Sequence, residues 1–312
     1  MCTYNGARFL AAQLDTLLAQ DYPNLEIIVN DDQSSDATFD LLLAYAARDA
    51  RIKPVCNPQN LGYLRNFEAC TRRCTGDLIA FCDQDDLWHP SKISRLFAHL
   101  GEHDLAVYCD SELMDENGES LGRCISDKTR MYEGSDPAAF VFHNCASGHA
   151  MLIRRRLLDV ALPYPARGFH DWWLAFAAAS LGGIRYLPEP LVRFRQHESS
   201  CTDFSGRKSK RKSDGNKAFE DMAYWMTDLA RLPSRHQAFF LALREAWLLR
   251  AHRLWVPELM RVLEPRSEAL LFISKRHHGK SPRYWWRYAV GLPLKQLFRP
   301  GKYPRRPLQL PG

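Results

Sequence analysis

The chain has 312 residues, 46% of them hydrophobic, enough to bury a full core in one large domain or two. Its net charge of +6 hides a split: residues 1–204 hold 19 Lys and Arg against 28 Asp and Glu, while residues 205–312 hold 23 against 8. Such an imbalance marks a change of role near residue 205 and directs the basic part toward an anionic partner. No apolar run reaches the roughly 18 residues that would cross a bilayer, and the first residues lack the pattern of a signal peptide, so the expectation is a soluble or peripheral protein. Nine cysteines without a Cys-x-x-Cys pair read as reduced packing residues, Cys56, Cys82 and Cys109 among them, in a cytosolic protein.

Met1 to Gly6 reads as the end of a strand and its loop, with almost no strand before it. Phe9, Leu10, Leu14, Leu17 and Leu18 then recur at helical spacing, and Pro23 stops that helix. Leu25 to Val29 is a short strand leading into the polar loop Asn30 to Asp36, whose last members cap a helix from Ala37 to Ala47. The pattern repeats with a strand at Ile52 to Cys56, a loop at Asn57 to Gly62 and a helix from Tyr63 to Cys74. Strand, loop and helix alternating at this pace predict an α/β fold with a mostly parallel sheet covered by helices. Right-handed crossovers then bring the loops Thr3 to Asn5, Asp31 and Asp32, Asn60, and Asp83 to Asp86 to one crevice.

The stretch Asp77 to Trp88 carries the clearest chemistry. An apolar strand delivers Asp83, Asp85 and Asp86 to one short loop, which turns into a helix from Ser91 to Leu100. Like charges so close repel unless a cation lies between them. Hard divalent ions such as Mg2+ or Mn2+ suit such oxygen ligands and leave positions open for phosphate. The competing reading is a solvated acidic turn.

Farther along, Leu105 to Cys109 reads as a strand, Asp115 to Gly118 as a turn between extended segments, and Ala146 to Ile153 as another strand. His170-Asp171-Trp172-Trp173 opens an apolar helix to Leu181, and two strands, Ile184 to Leu187 and Leu191 to Arg195, lead into Gln196 and His197. Ser205 to Lys217 is a basic low-complexity linker. Three helices follow at Ala218 to Leu232, His236 to Val256 and Pro257 to His277. Tyr284 to Val290 mixes aromatic rings with flanking Arg and Lys, which suits a membrane interface with anionic lipid or, equally, anchors packing the tail onto the protein. The domains are therefore 1–204 α/β, 205–217 linker and 218–312 helical and basic.

Six segments in order resemble glycosyltransferases of family 2, which have the Rossmann-like GT-A fold. They are Thr3 to Gly6, Val29 to Asp36, Asn60 to Gly62, the Asp83-Gln84-Asp85 "DxD" element, His170 to Trp173 and Arg195 to His197, together covering residues 1 to 205. Asp-Gln-Asp-Asp-x-Trp and His-Asp-Trp-Trp most resemble the family's rhamnosyltransferases of bacterial surface-polysaccharide synthesis, including lipopolysaccharide O-antigen. The resemblance implies that 1–204 is the catalytic domain. It implies a dTDP- or UDP-sugar donor, with dTDP-rhamnose foremost, and a lipid-linked or growing glycan as acceptor. It implies that Thr3, Tyr4, Asn5 and Asp32 hold the nucleoside, Asp32 accepting from the pyrimidine N3–H, with Asn60 and Asn66 nearby and Asp83 at the ribose and metal. It places Asp85 on the metal and His197 in its shell. Asp171 is then the base that deprotonates the acceptor hydroxyl in a single inverting displacement, with His170, Trp172 and Trp173 on the acceptor side. Of that tryptophan pair, one is expected to be ordinary core.

Relatives carry several apolar residues before Thr-Tyr-Asn where this sequence has only Met1 and Cys2, so the true start is expected upstream. The alternative function is a noncatalytic nucleotide-sugar or glycan-binding module tethered to the membrane by its basic tail. Nucleic-acid binding lacks any groove-reading motif. The expected location is the cytoplasmic face of the inner membrane.

Overall fold

A computed structural model describes residues 1–197, 214–277 and 282–311. Glu198 to Ser200 and most of the expected linker lie outside the described residues. The chain divides into two compact units. The first is Met1–Ser135, Asn144–Tyr164 and Phe169–Arg207, and the second is Asp136–His143, Pro165–Gly168 and Lys208–Gly312.

In the first unit, β1 (Cys2–Thr3), β2 (Ile27–Asp31) and β3 (Ile52–Cys56) form a parallel sheet in the order β1-β2-β3. Helices α1 (Ala7–Leu18), α2 (Thr38–Ala46) and α3 (Tyr63–Arg73) follow these strands. Leu10, Leu14 and Leu17 of α1 join Val29, Leu42 and Ile52 in one apolar cluster, because three- and four-residue spacing puts them on one helical face. Cys82 and Cys109 are buried as expected, whereas Cys56 is exposed, at the end of β3; the eight described cysteines are all free.

The second sheet contains β4 (Leu78–Ala80), β5 (Leu87–Trp88), β6 (Ala106–Met114), β7 (Ser120–Cys124), β8 (Met151–Arg154) and β9 (Ile184–Arg195), in the order β4-β8-β6-β9-β5 with β7 on β6. Strand direction is more mixed than expected. Only β6 and β9 run parallel here, and the other four pairings are antiparallel. A tight turn dictates one of these: Asp115 Oδ1 accepts from Asn117 N and Glu119 N, Gly118 has φ of 90°, and the chain reverses from β6 into β7. The two strands expected at Ile184 and Leu191 are one strand, β9. Its register against β6 shifts at Cys109–Ser111, opposite a stretch with two prolines that cannot donate to the ladder. The helices of this half are α4 (Lys92–His99), α5 (Leu158–Ala161) and α6 (His170–Leu181).

The second unit is helical: α7 (Gly215–Arg231), α8 (Gln237–Leu249), α9 (Pro257–Leu263), α10 (Ser267–Leu271), α11 (Trp286–Ala289) and α12 (Leu292–Phe298). Helix α7 starts three residues earlier than expected because the Asp214 side chain caps it, accepting from Asn216 N. Helix α8 ends well before Val256. The following chain turns to pair with residues 289–292, Gly291 N donating to Leu254 O and Leu292 N to Arg250 O. Residues 136–143 belong with these helices: Trp225 Nε1 donates to Val141 O, and Phe142 packs 5.6 Å from the Trp285 ring. The aromatic stretch near the end divides, since Trp285 is fully buried and donates to Ser267 Oγ while Trp286 is 54% exposed beside Trp255.

Candidate active site

Three loops at the carboxyl ends of β1, β2 and β3 meet through named hydrogen bonds. Asn5, at φ 48°, accepts from Ser35 N through its side chain, and its own N–H donates to Ser34 Oγ. Asp31 accepts from Thr3 Oγ1, Ser34 N and Ser34 Oγ, so Thr3 is buried and serves the loop. Asp32 accepts from Asn57 Nδ2 and Leu61 N on one oxygen and from Gly62 N on the other, while Asn60 Nδ2 donates to its carbonyl. Asn66 lies beneath, its Oδ1 shared by Asn30 and Asn57 and its Nδ2 donating to Asn30 O. It is buried, 3% exposed, in the packing beneath these loops. Tyr4 is open, 50% exposed, and Asn5 and Asn60 are exposed as well.

Gln84 ties these loops to the acidic one. Its Oε1 accepts from Tyr4 N at 2.9 Å and its Nε2 donates to Tyr4 O at 3.2 Å, a two-bond clamp across 80 residues. A Cβ on Gly6 would collide with that same amide. The convergence expected from topology is thus present in specific bonds.

The acidic loop presents its carboxylates at two depths. Asp83 is half-buried, and Asp85 is paired with His197 through Oδ2 and Nε2 at 2.8 Å. Asp86 is completely buried: Oδ1 accepts from Arg195 N, and Oδ2 accepts no hydrogen bond among the described residues. His149 lies between, its Nδ1 3.8 Å from Asp83 Oδ2 and 3.7 Å from Asp86 Oδ2, with Nε2 at Ser111 Oγ and the ring stacked on Phe194. One donor atom from each of Asp83, Asp86 and His149 falls within 4.8 Å of the others. Burial, with Asp85 and Asp83 beside it, pushes the Asp86 carboxyl well up. Beneath them the buried Lys92 ammonium donates to His149 O and lies 3.0 Å from the Trp88 ring centre; burial brings its pKa down to about 8. Two carboxylates, one of them with a buried oxygen that accepts no hydrogen bond among the described residues, and an imidazole make a donor set suited to a divalent cation.

His149 and Lys92 were not in the expected site, and Asp86 was expected in the acidic loop without a role of its own. The visible signal for His149 was a Ser-Gly-His triplet ahead of an apolar strand, and the strand itself begins later than expected, at Met151.

Asp171 sits in the first turn of α6, where Oδ1 accepts from Trp172 N at 2.6 Å and Oδ2 from Gly148 N at 3.0 Å. Gly148 precedes His149, so the carboxylate and the acidic loop hang on one short segment. Burial raises the Asp171 pKa to about 6 against the pull of those N–H groups, and Asp83 adds to the rise. His170 is buried: Nδ1 meets Tyr63 OH at 3.0 Å, the ring stacks 4.0 Å from Phe67, and burial lowers its pKa to about 4, leaving it neutral. Trp173 is the core member of its pair, fully buried with Nε1 donating to Ala161 O, while Trp172 keeps partial exposure.

The first unit thus joins a parallel-sheet loop cluster to an acidic turn, beside a helix-borne carboxylate, in an α/β protein. Residues 1–160 match Glycosyl transferase family 2, and the chain belongs to that family. It is 29% identical over 212 residues to an uncharacterized glycosyltransferase of Rickettsia typhi, covering 64% of each chain. It is 28% identical over 213 residues to the putative glycosyltransferase EpsH of Bacillus subtilis, covering 64% of this chain and 60% of that one. The chain thus spans less than two thirds of the length of these relatives. Among solved structures, S. aureus TarS 1–349 in complex with UDP-GlcNAc has a TM-score of 0.55 at 17% identity, covering 86% of this chain and 80% of TarS. The mannosyltransferase PcManGT from Pyrobaculum calidifontis, in complex with GDP-Man and Mn2+, has a TM-score of 0.54 at 18% identity, covering 95% and 85%. At these identities the likeness establishes the fold, GT-A α/β with a helical C-terminal region. No described helix is long and apolar enough to cross a membrane.

Proposed function

We propose that this chain is an inverting glycosyltransferase that moves a sugar, L-rhamnose from dTDP-rhamnose in our reading, to a lipid-linked or growing surface glycan at the cytoplasmic face of the membrane. The observation that carries the proposal is Asp171: a carboxylate with a pKa raised to about 6, held by two backbone N–H groups and joined through Gly148–His149 to the acidic loop. A general base works best with a pKa near the operating pH, so that it is ionised yet still binds a proton well. In this reading Asp171 takes the acceptor hydroxyl's proton as that oxygen attacks the anomeric carbon, while the nucleoside diphosphate leaves on the opposite side. The exposed Tyr4 ring stacks on the base. Asp32 has a lone pair left on the oxygen that takes only Gly62 N, directed to a pyrimidine N3–H.

In our reading Asp83, Asp85 and His197 would hold a Mg2+ or Mn2+ ion, while the donor atoms of Asp83, Asp86 and His149, within 4.8 Å of one another, offer a second set that shares Asp83. Mn2+ accompanies GDP-Man in the PcManGT complex. When bound, the ion neutralises charge developing on the leaving diphosphate. The test is a panel of dTDP-, UDP- and GDP-sugars with Mn2+, read first as thermal stabilisation and then as donor consumption with candidate glycan acceptors. Stabilisation by a dTDP-sugar with turnover supports the proposal. Binding without turnover by any acceptor supports the noncatalytic module instead, and stabilisation only by another nucleotide overturns the rhamnose assignment.

A further inference from the structure

The helical unit holds a cavity of about 660 Å³ bordered by Arg250, Arg287, Lys295, Arg299 and Lys302, with no acidic side chain on its lining. Arg250 is the most buried of these five, 3% exposed, the guanidinium 4.1 Å over the Trp247 ring. Among the described residues only its Nη2 reaches an acceptor, Val290 O at 3.5 Å, and Nε and Nη1 have no hydrogen-bond partner. A buried guanidinium stays charged, so two unmatched N–H donors in a cavity are costly unless something outside the fold supplies acceptors. Nearby acids are engaged elsewhere: Arg306 takes both Asp214 and Glu220. The cations press on one another as well, since burial and then Arg250, Lys302, Arg287 and Arg299 bring the Lys295 pKa down to about 8.

Five cations in one concave site call for a compact group with several charged oxygens, and guanidinium forks match phosphate oxygens in particular. The remaining wall is apolar. Phe219, Trp247 and Tyr288 line the interior, and Leu294 and Phe298 edge the opening, Phe298 being 73% exposed. We infer that this cavity binds a phosphate or diphosphate group whose apolar chain leaves across Leu294 and Phe298. The inference uses neither the acidic loop nor Asp171, so it stands or falls apart from the transfer reaction.

The experiment is titration of the full chain with inorganic pyrophosphate in EDTA, alongside flotation with phosphatidylcholine vesicles with and without phosphatidic acid. Pyrophosphate binding is expected to weaken by about tenfold or more in a Lys295→Gln/Arg299→Gln double variant, whose altered side chains are at least partly exposed, and further in Arg250→Gln. It is expected to be unchanged in Asp83→Asn. Phosphatidic acid vesicles should carry the protein, and Phe298→Ser should reduce that capture while leaving pyrophosphate affinity intact. Absence of pyrophosphate binding overturns the inference, as does binding that survives the double variant or disappears in Asp83→Asn. Pyrophosphate binding without vesicle capture overturns the apolar chain and retains the phosphate site.

Discussion

Replacing Asp171 with Asn separates chemistry from folding more cleanly than any other change in the first unit. The raised pKa, from 3.8 to about 6, means that the ionised carboxylate is held at a cost of about 3 kcal/mol at neutral pH. The neutral amide escapes that cost. Its single oxygen, however, accepts from only one of Gly148 N and Trp172 N and turns an NH2 toward the other, at a cost of about 1–3 kcal/mol. The two effects nearly cancel, so the melting temperature should move by no more than about 3 °C. Transfer should fall by about 10²–10⁴-fold in kcat, the usual worth of a positioned general base, with donor affinity unchanged. Radiolabelled sugar transfer and differential scanning fluorimetry on the same preparation measure both. Transfer within about tenfold of the parent would refute the base assignment, and a large loss of melting temperature would make any drop in rate uninterpretable as chemistry.

Five further outcomes follow. Transfer should show an acidic limb, lost as pH falls through about 6, because the base must be ionised. The stability contribution has the opposite sign: with the folded pKa above 3.8, Asp171 favours the fold most at low pH and loses that benefit as pH rises through about 6, which denaturant titrations across that range would register. Asp85→Ala should nearly abolish both transfer and Mn2+-dependent donor binding, and calorimetry showing equal donor affinity would remove Asp85 from the metal site. Gly148→Ala should lower kcat with little effect on donor binding, since the new methyl would lie 2.8 Å from His170 Nε2 and 3.4 Å from Asp171 Cβ. In the helical unit, Gly291→Ala would drive a Cβ into Arg253 O, well inside van der Waals contact, and should cost about 2 kcal/mol or more in a denaturant melt.

The elements of the first half were legible because apolar spacing and loop composition agree there. Ile52–Cys56 and the start of α3 at Tyr63 lie where periodicity puts them, and the loops meet because parallel crossovers leave no other arrangement. Strand direction in the second sheet was not legible. β4 and β8 are short apolar runs that fit either direction, and only their pairing across 70 residues decides it. The acidic loop announced itself as a cluster of carboxylates, but sequence could not rank Asp85 against Asp86. Burial separates them: Asp86 turns inward to Arg195 N, and Asp85 turns to His197. His149 was missed because a lone histidine ahead of a strand carries no spacing signal. The burial of Asn66 was not legible either, since a polar residue one turn into a helix carries no sign of the Asn30 and Asn57 amides that donate to it. The aromatic tail contained two populations that hydropathy merges, Trp285 in the core and Trp286 outside it.

The most direct measurement is a crystal structure of the chain soaked with a dTDP-sugar and Mn2+, with the metal located by its anomalous scattering. The account predicts a manganese peak against Asp83 and Asp85, the diphosphate on the ion, and the anomeric carbon between that diphosphate and the Asp171 carboxylate. A manganese peak away from the acidic loop, or a sugar whose anomeric carbon faces away from Asp171, would contradict it.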